Sequence, residues 1–198
     1  MDALGKRPLV VGIGGSEGPG SATERALARA LEEAGLRGAE VRIYGGAFLG
    51  SLPLFRPRHP ERTWQARELV TAVARADGII LATPSYHGGV SGMVKNALDY
   101  LEDLRCDDRP YLDGRAVGCV VTSAGPQAGG ITLAALRAIV HALRGWPTPF
   151  GATLDVLPGA SAESVAERDA GKLAVVAAQV VDFARMARTA HNAIEVAG

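Results

Sequence analysis

Three stretches rich in glycine and hydroxyls carry the chemistry this chain could perform. The first is Gly14-Gly15-Ser16-Glu17-Gly18-Pro19-Gly20-Ser21-Ala22-Thr23, which follows an apolar run and opens an amphipathic one. Backbone N–H groups at a helix start, reinforced by the helix dipole, suit an anion, most often a phosphate. Ser16, Ser21 and Thr23 add hydroxyl donors, and Gly20 and Ala22 add backbone at the helix mouth. The competing account makes Ser21 an ordinary N-cap and the glycines a turn. No Lys stands here, so a GxxxxGK[ST] phosphate loop is excluded. The pattern GxGxxG begins at Gly12 and Gly14 but meets Glu17 where its third glycine belongs. The run 41–44 ends in Tyr44-Gly45-Gly46 rather than in an acid for a ribose. A mononucleotide phosphate survives this elimination.

The second stretch, Pro84-Ser85-Tyr86-His87-Gly88, follows the apolar Ile79-Ile80-Leu81-Ala82. It offers an aromatic ring, a hydroxyl and glycine backbone to a flat polar ligand. The third runs from Thr122 through Ser123, Ala124 and Gly125 to Gly130. Each alone is a weak signal, since glycine-rich turns follow strands everywhere. Together they make a floor and a wall beside the phosphate position. His87 is a candidate proton donor, but a lone loop histidine is more often a surface residue, and no catalytic side chain is assigned. His59, His87, His141 and His191 are scattered without ligand-like spacing, so no metal site is expected.

These loops must be held by strands that alternate with helices. Apolar runs at 8–13, 41–44, 78–82, 116–121 and 150–156 read as five strands. Helical spacing reads over about 21–34, 61–75, 90–101, 128–143 and 164–190. Residues 45–60 carry Pro53, Pro57 and Pro60 and are expected to form no regular helix. Such alternation predicts an α/β fold with a parallel sheet covered by helices on both faces. Right-handed crossovers favour a flavodoxin-like three-layer sandwich, five-stranded in the order 2-1-3-4-5. In that order the three loops meet at one end of the sheet.

The chain has 198 residues, expected to form one domain over 1–198. Lys+Arg and Asp+Glu each number 21, which argues against a nucleic-acid binder and gives no push toward anionic membranes. No segment approaches the roughly 20 apolar residues of a membrane helix, and the start, MDALGKRPLVVGIGG, has too short an apolar run for a signal peptide. Cys119 sits in an apolar run and reads as core; Cys106, in RCDDRP, reads as exposed. A cytoplasmic protein is expected.

Gly15-Ser16…Gly20-Ser21, Leu52-Pro53-Leu54-Phe55 and Thr83-Pro84-Ser85-Tyr86-His87-Gly88…Gly92…Lys95-Asn96-Ala97-Leu98-Asp99-Tyr100-Leu101 resemble the NADPH-dependent FMN reductase family of flavodoxin-like proteins, over about 8–155. That family includes FMN, azo-dye, quinone and chromate reductases. The resemblance implies bound FMN, NADPH or NADH as co-substrate, a small-molecule oxidant, and a homodimer or homotetramer. By position it places Ser16, Ser21 and Thr23 on the FMN phosphate, and Pro84, Ser85, Tyr86, His87 and Gly88 along ribityl and ring. Ser123, Ala124 and Gly125 fall at the ring's other edge. The family often has Arg where Gly18 stands and Asn where Thr23 stands, so the phosphate is expected to lack a nearby cation. Ser85 and His87 replace the family's usual acid and Asn. Arg56, Arg58 and Arg62 are candidates for the extra phosphate of NADPH, against the plainer account of a solvated basic loop. Two other functions fit the same fold: a non-enzymatic FMN-binding electron carrier, and a flavin-free nucleotide-binding regulatory domain. Carriers of that kind are typically strongly acidic, whereas this chain is neutral.

Overall fold

A computed structural model describes residues 7–18 and 20–197, with side chains through residue 190. Pro19 of the first glycine-rich stretch and the N-terminal six residues lie outside the described residues. The chain alternates as expected: β1 (Leu9–Gly14), α1 (Ala22–Leu36), β2 (Glu40–Tyr44), α2 (Gly46–Gly50), α3 (Trp64–Arg75), β3 (Gly78–Tyr86), β4 (Gly89–Val90) and α4 (Gly92–Asp99). After a 3-10 turn at Tyr100–Leu104 come β5 (Ala116–Ser123), α5 (Pro126–Ala142), β6 (Trp146–Pro147), β7 (Ala152–Asp155), α6 (Ala162–Arg168) and α7 (Ala170–Ala197).

The parallel frame is β2-β1-β3-β5 with β6 and β7 both on the far side of β5. This is the 2-1-3-4-5 order, but the sheet has seven strands rather than five. The last position is split because Pro147 and Pro149 interrupt the run between β6 and β7, and proline cannot donate to a ladder. The other added strand, β4, pairs antiparallel with the end of β3.

Alternation along the strands builds two cores. Val11, Ile13, Ile79, Leu81, Cys119 and Val121 face α3, α4 and α5 through Leu69, Val94, Leu98 and Leu136. Val10, Ile80, Ala82 and Val120 face α1 and α7 through Leu27, Leu31, Val176 and Val180. Cys119 is buried and Cys106 exposed, as their settings predict.

Three expectations need correction. The helix expected from 61 begins at Trp64, because Thr63 caps it by accepting the Ala66 N–H at 3.3 Å, beyond Pro60. Residues 45–60 do contain a short helix, α2, placed ahead of Pro53 where no proline interferes. The long C-terminal helix is broken into α6 and α7, and Asp169 at the break holds Arg168 and Lys172, each at 2.7 Å.

Candidate functional site

The three loops do converge at the carboxyl ends of the strands, but several side chains have other duties there. At the first loop, Ser21 caps α1: its Oγ accepts the Glu24 N–H at 3.3 Å. Glu24 Oε2 in turn accepts the Gly20 N–H at 3.0 Å. This is an S-x-x-E box whose acid reaches one residue further back than usual. The Ser21 amide donates to Gly18 O at 3.2 Å. The amides of Ala22 and Thr23, in the first turn, make no bond to another described residue. The mouth of α1 thus already stabilises one anionic oxygen and keeps further donors.

Backbone packing holds this loop in place. A Cβ on Gly46 would stand 2.0 Å from Ser16 O, and one on Gly15, at φ +136°, would stand 2.6 Å from Gly46 N. Only glycine lets α2 approach the loop so closely.

Thr23 is a correction. It is 2% exposed, and its hydroxyl lies 2.5 Å from that of Thr122, tying α1 to β5. Its amide can serve an anion; its side chain cannot. The hydroxyls that remain on the accessible side are those of Ser16 and Ser21, both part-buried.

The second loop is not a loop over most of its length. β3 runs on through Pro84, Ser85 and Tyr86, with Thr83 and Pro84 in register with Val121 and Thr122 of β5. Tyr86 then pairs with Gly89 across a two-residue turn, His87 at φ +53° and Gly88 at φ +74°. Two successive positive φ values are the type I′ pattern that matches strand twist. Pro84 is buried inside the sheet, and Ser85 Oγ is bonded to Thr132 Oγ1 at 2.7 Å and Ala128 O at 3.2 Å. These two therefore frame the site through backbone and packing rather than with free side-chain donors. Tyr86, 57% exposed, and His87 stand on the projecting hairpin.

At the third loop, the Ser123 hydroxyl is buried and donates to Gly125 O at 2.9 Å, tucked under α5. Ala124 is exposed, and Gly125 is the extended N-cap of α5, with Pro126 in the first turn and no capping side chain. The N-terminus of α5 therefore keeps open donors and positive dipole character. Between it and the hairpin lies a slot of about 580 Å³ lined by Gly88, Gly125, Pro126, Gln127, Ala128 and Ile131. The lining is mostly apolar, and Ile131 is 54% exposed.

Two other groups of basic residues are accounted for. Arg62 forms a two-bond pair with Asp103 at 2.7 and 2.9 Å and stacks over Phe55 and Tyr100, so it clasps the 51–63 strap. Asn96 completes the clasp by accepting the Phe55 N–H at 2.8 Å and donating to Pro53 O at 3.0 Å. Arg56 and Arg58 are exposed. Lys95 and Asp99 form the expected helical ion pair at 2.5 Å.

One cationic side chain beside the first loop was not anticipated from the sequence. Arg25 lies over Gly20: its Nε and Nη2 are each 3.7 Å from where a Cβ on Gly20 would sit. It stands on α1 rather than in the loop, and only the backward slant of helical side chains brings it there.

Tested against FMN, these residues fit. The α1 mouth keeps the amides of Ala22 and Thr23 without a partner among the described residues, and an open apolar groove lies beside the uncapped start of α5.

Residues 8–154 match the model of the family described as NADPH-dependent FMN reductase. An NADPH azoreductase of Bacillus sp. (strain OY1-2) is 42% identical over 60 residues, which is 30% of this chain and 34% of that protein. The FMN-dependent NADPH-azoreductase of Staphylococcus aureus (strain USA300) is 38% identical over 87 residues, 42% of this chain and 40% of that one. The chain therefore matches well under half the length of these relatives. Among solved structures, an NADH:FMN oxidoreductase in its apo form superposes with a TM-score of 0.67 at 22% identity, over 90% of this chain and 89% of that one.

Proposed function

The chain belongs to the NADPH-dependent FMN reductase family, and from that premise we propose that it is an FMN-dependent NAD(P)H oxidoreductase. Its phosphate end is held at the mouth of α1 and its ring in the slot between the β3–β4 hairpin and α5. The observation that carries this reading is the pairing of an anion-stabilising helix start with an apolar slot beside an uncapped second helix.

FMN, when bound, supplies the redox chemistry, taking hydride from the nicotinamide and passing electrons to an azo, quinone, flavin or similar small oxidant. The chain's own residues bind and orient. Ser16, Ser21 and the free amides of Ala22 and Thr23 take the phosphate. Backbone at Ser123, Ala124 and Gly125, with the α5 dipole, stabilises negative charge placed in the slot. Gly88 and Ile131 form the apolar wall, and the exposed Tyr86 offers a face for a second aromatic ring. No side chain is assigned proton transfer. We further propose a single FMN-binding domain over 1–198, a cytoplasmic location and a homodimer or homotetramer. No helix of the described residues is long and apolar enough to cross a membrane.

The test is anaerobic. Protein loaded with FMN is mixed with NADPH or NADH, the flavin absorbance is followed to bleaching, and an azo dye or quinone is then added. Bleaching by a nicotinamide and recovery by the oxidant are expected. Folded protein that takes up no FMN would refute the reading. Uptake of FMN without reduction by either nicotinamide would favour the electron carrier.

A further inference from the structure

We infer that Arg25 is the cation that selects the phosphate of the flavin, so that it discriminates FMN from riboflavin. The inference rests on the flavin reading above and adds to it a residue and a specificity.

The loop from 14 to 23 contains no Lys or Arg and carries Glu17. Glu24 adds a second acid directly on the Gly20 N–H. A phosphate dianion entering there meets negative charge unless a cation is brought in from elsewhere. Counting from the N-cap Ser21, Arg25 is the fourth helical residue, the position whose side chain reaches back over the residue preceding the cap. That residue is Gly20, at φ +70°, which presents bare backbone to the guanidinium. A bulkier residue at 20 would separate the two.

Arg25 is also free to change partners. Among the described residues it is paired only with Glu163 of α6, at 3.6 Å, and the two side chains are 54% and 60% exposed. Such a pair contributes little in water. A phosphate offers the guanidinium a doubly charged partner with matching geometry. Arg25 thus stands between a weak resting partner on α6 and an anion site on its own helix. The acids that face it are Glu24 and Glu163, with Glu17 in the adjoining loop.

The experiment measures the dissociation constants of FMN and riboflavin by flavin fluorescence quenching, for wild type, Arg25→Gln and Arg25→Lys, at low and high salt. Circular dichroism checks that each variant is folded. Arg25→Gln is expected to weaken FMN about tenfold, which is ~1.4 kcal/mol, and to leave riboflavin within about twofold. It should also flatten the salt dependence of FMN binding, and Arg25→Lys should recover part of the loss. Equal effects on both flavins, or an unchanged FMN constant, would overturn the inference while leaving the flavin site standing. Failure of wild type to bind either flavin would overturn the flavin reading and this inference with it.

Discussion

Substituting Gly46 by alanine tests how the site is built. The new Cβ would lie 2.0 Å from Ser16 O and 2.9 Å from Ser16 C. Carbon–oxygen contacts settle near 3.3 Å, so the gap must open by roughly 1.3 Å. The β1–α1 loop is the part that yields, because α2 is anchored by the buried Leu49. Amide–phosphate bonds need about 2.7–3.2 Å between heavy atoms, so a shift of that size breaks one or two of them. At ~1.5–3 kcal/mol for a bond to a charged group, FMN binding should weaken at least tenfold. Crowding should also cost about 1–3 kcal/mol of stability. Gly50→Ala is the matched control in the same short helix, where the nearest atom is Met93 Cε at an ordinary 3.7 Å. It should leave FMN binding unchanged. Flavin titration and urea unfolding on both variants provide the measurement. A folded Gly46→Ala protein with the wild-type FMN constant would refute the claim that this backbone contact sets the phosphate loop.

Removing the charge of Glu24 should help the cofactor: Glu24→Gln keeps an oxygen for the Gly20 N–H, and FMN should bind several-fold to about tenfold tighter by simple Coulomb reasoning near a surface. Weaker binding in a flavin titration would show that the carboxylate supports the site instead. Arg115 is fully buried and donates to the carbonyls of Ala74 (2.6 Å), Ala76 (3.0 Å), Tyr111 (3.2 Å) and Asp113 (3.3 Å). Arg115→Met should therefore lose about 3 kcal/mol in urea unfolding, and a loss under ~1 kcal/mol would count against these bonds as a structural clasp. Burial, then the neighbouring Arg109, pull the Arg115 guanidinium from 12.5 down to about 10. Between those values the unfolded chain binds more protons, so this group makes stability rise with pH there. The rise should vanish in Arg115→Met, as unfolding midpoints from pH 9 upward would reveal. Burial pushes the Cys119 thiol up to about 12, whereas Cys106 is exposed. Iodoacetamide should add once to native protein and twice to unfolded protein, read by mass spectrometry; two native adducts would contradict the packing of β5.

The strand order and the two apolar faces were legible because burial imposes a repeat on the residues themselves. Ile79 to Ala82 announces a strand wherever it ends up, and the spacing of Leu27, Ala30, Leu31 and Ala34 announces a helix face. The cap at Ser21 was legible for the same reason, since its partner is three residues away. The end of β3 was not: the apolar run ends at Ala82, yet β5 alongside carries the ladder on to Pro84 and β4 carries it through Ser85 and Tyr86. Nor were α2 and the split of the last strand position, where proline placement acts together with neighbouring elements.

The same division runs through the site. Residue types and their place after strands were enough to say that the three loops meet at one rim of the sheet. Which polar side chains there are left without a partner was decided by distant contacts. Thr23 is turned away by Thr122, ninety-nine residues on, and Ser85 is drawn to α5 by Thr132, forty-seven residues on. Arg25 comes to lie over Gly20 through the slant of its helix. A local pattern records how often a side chain must be buried; the partner a polar atom finds depends on which backbone the fold brings beside it.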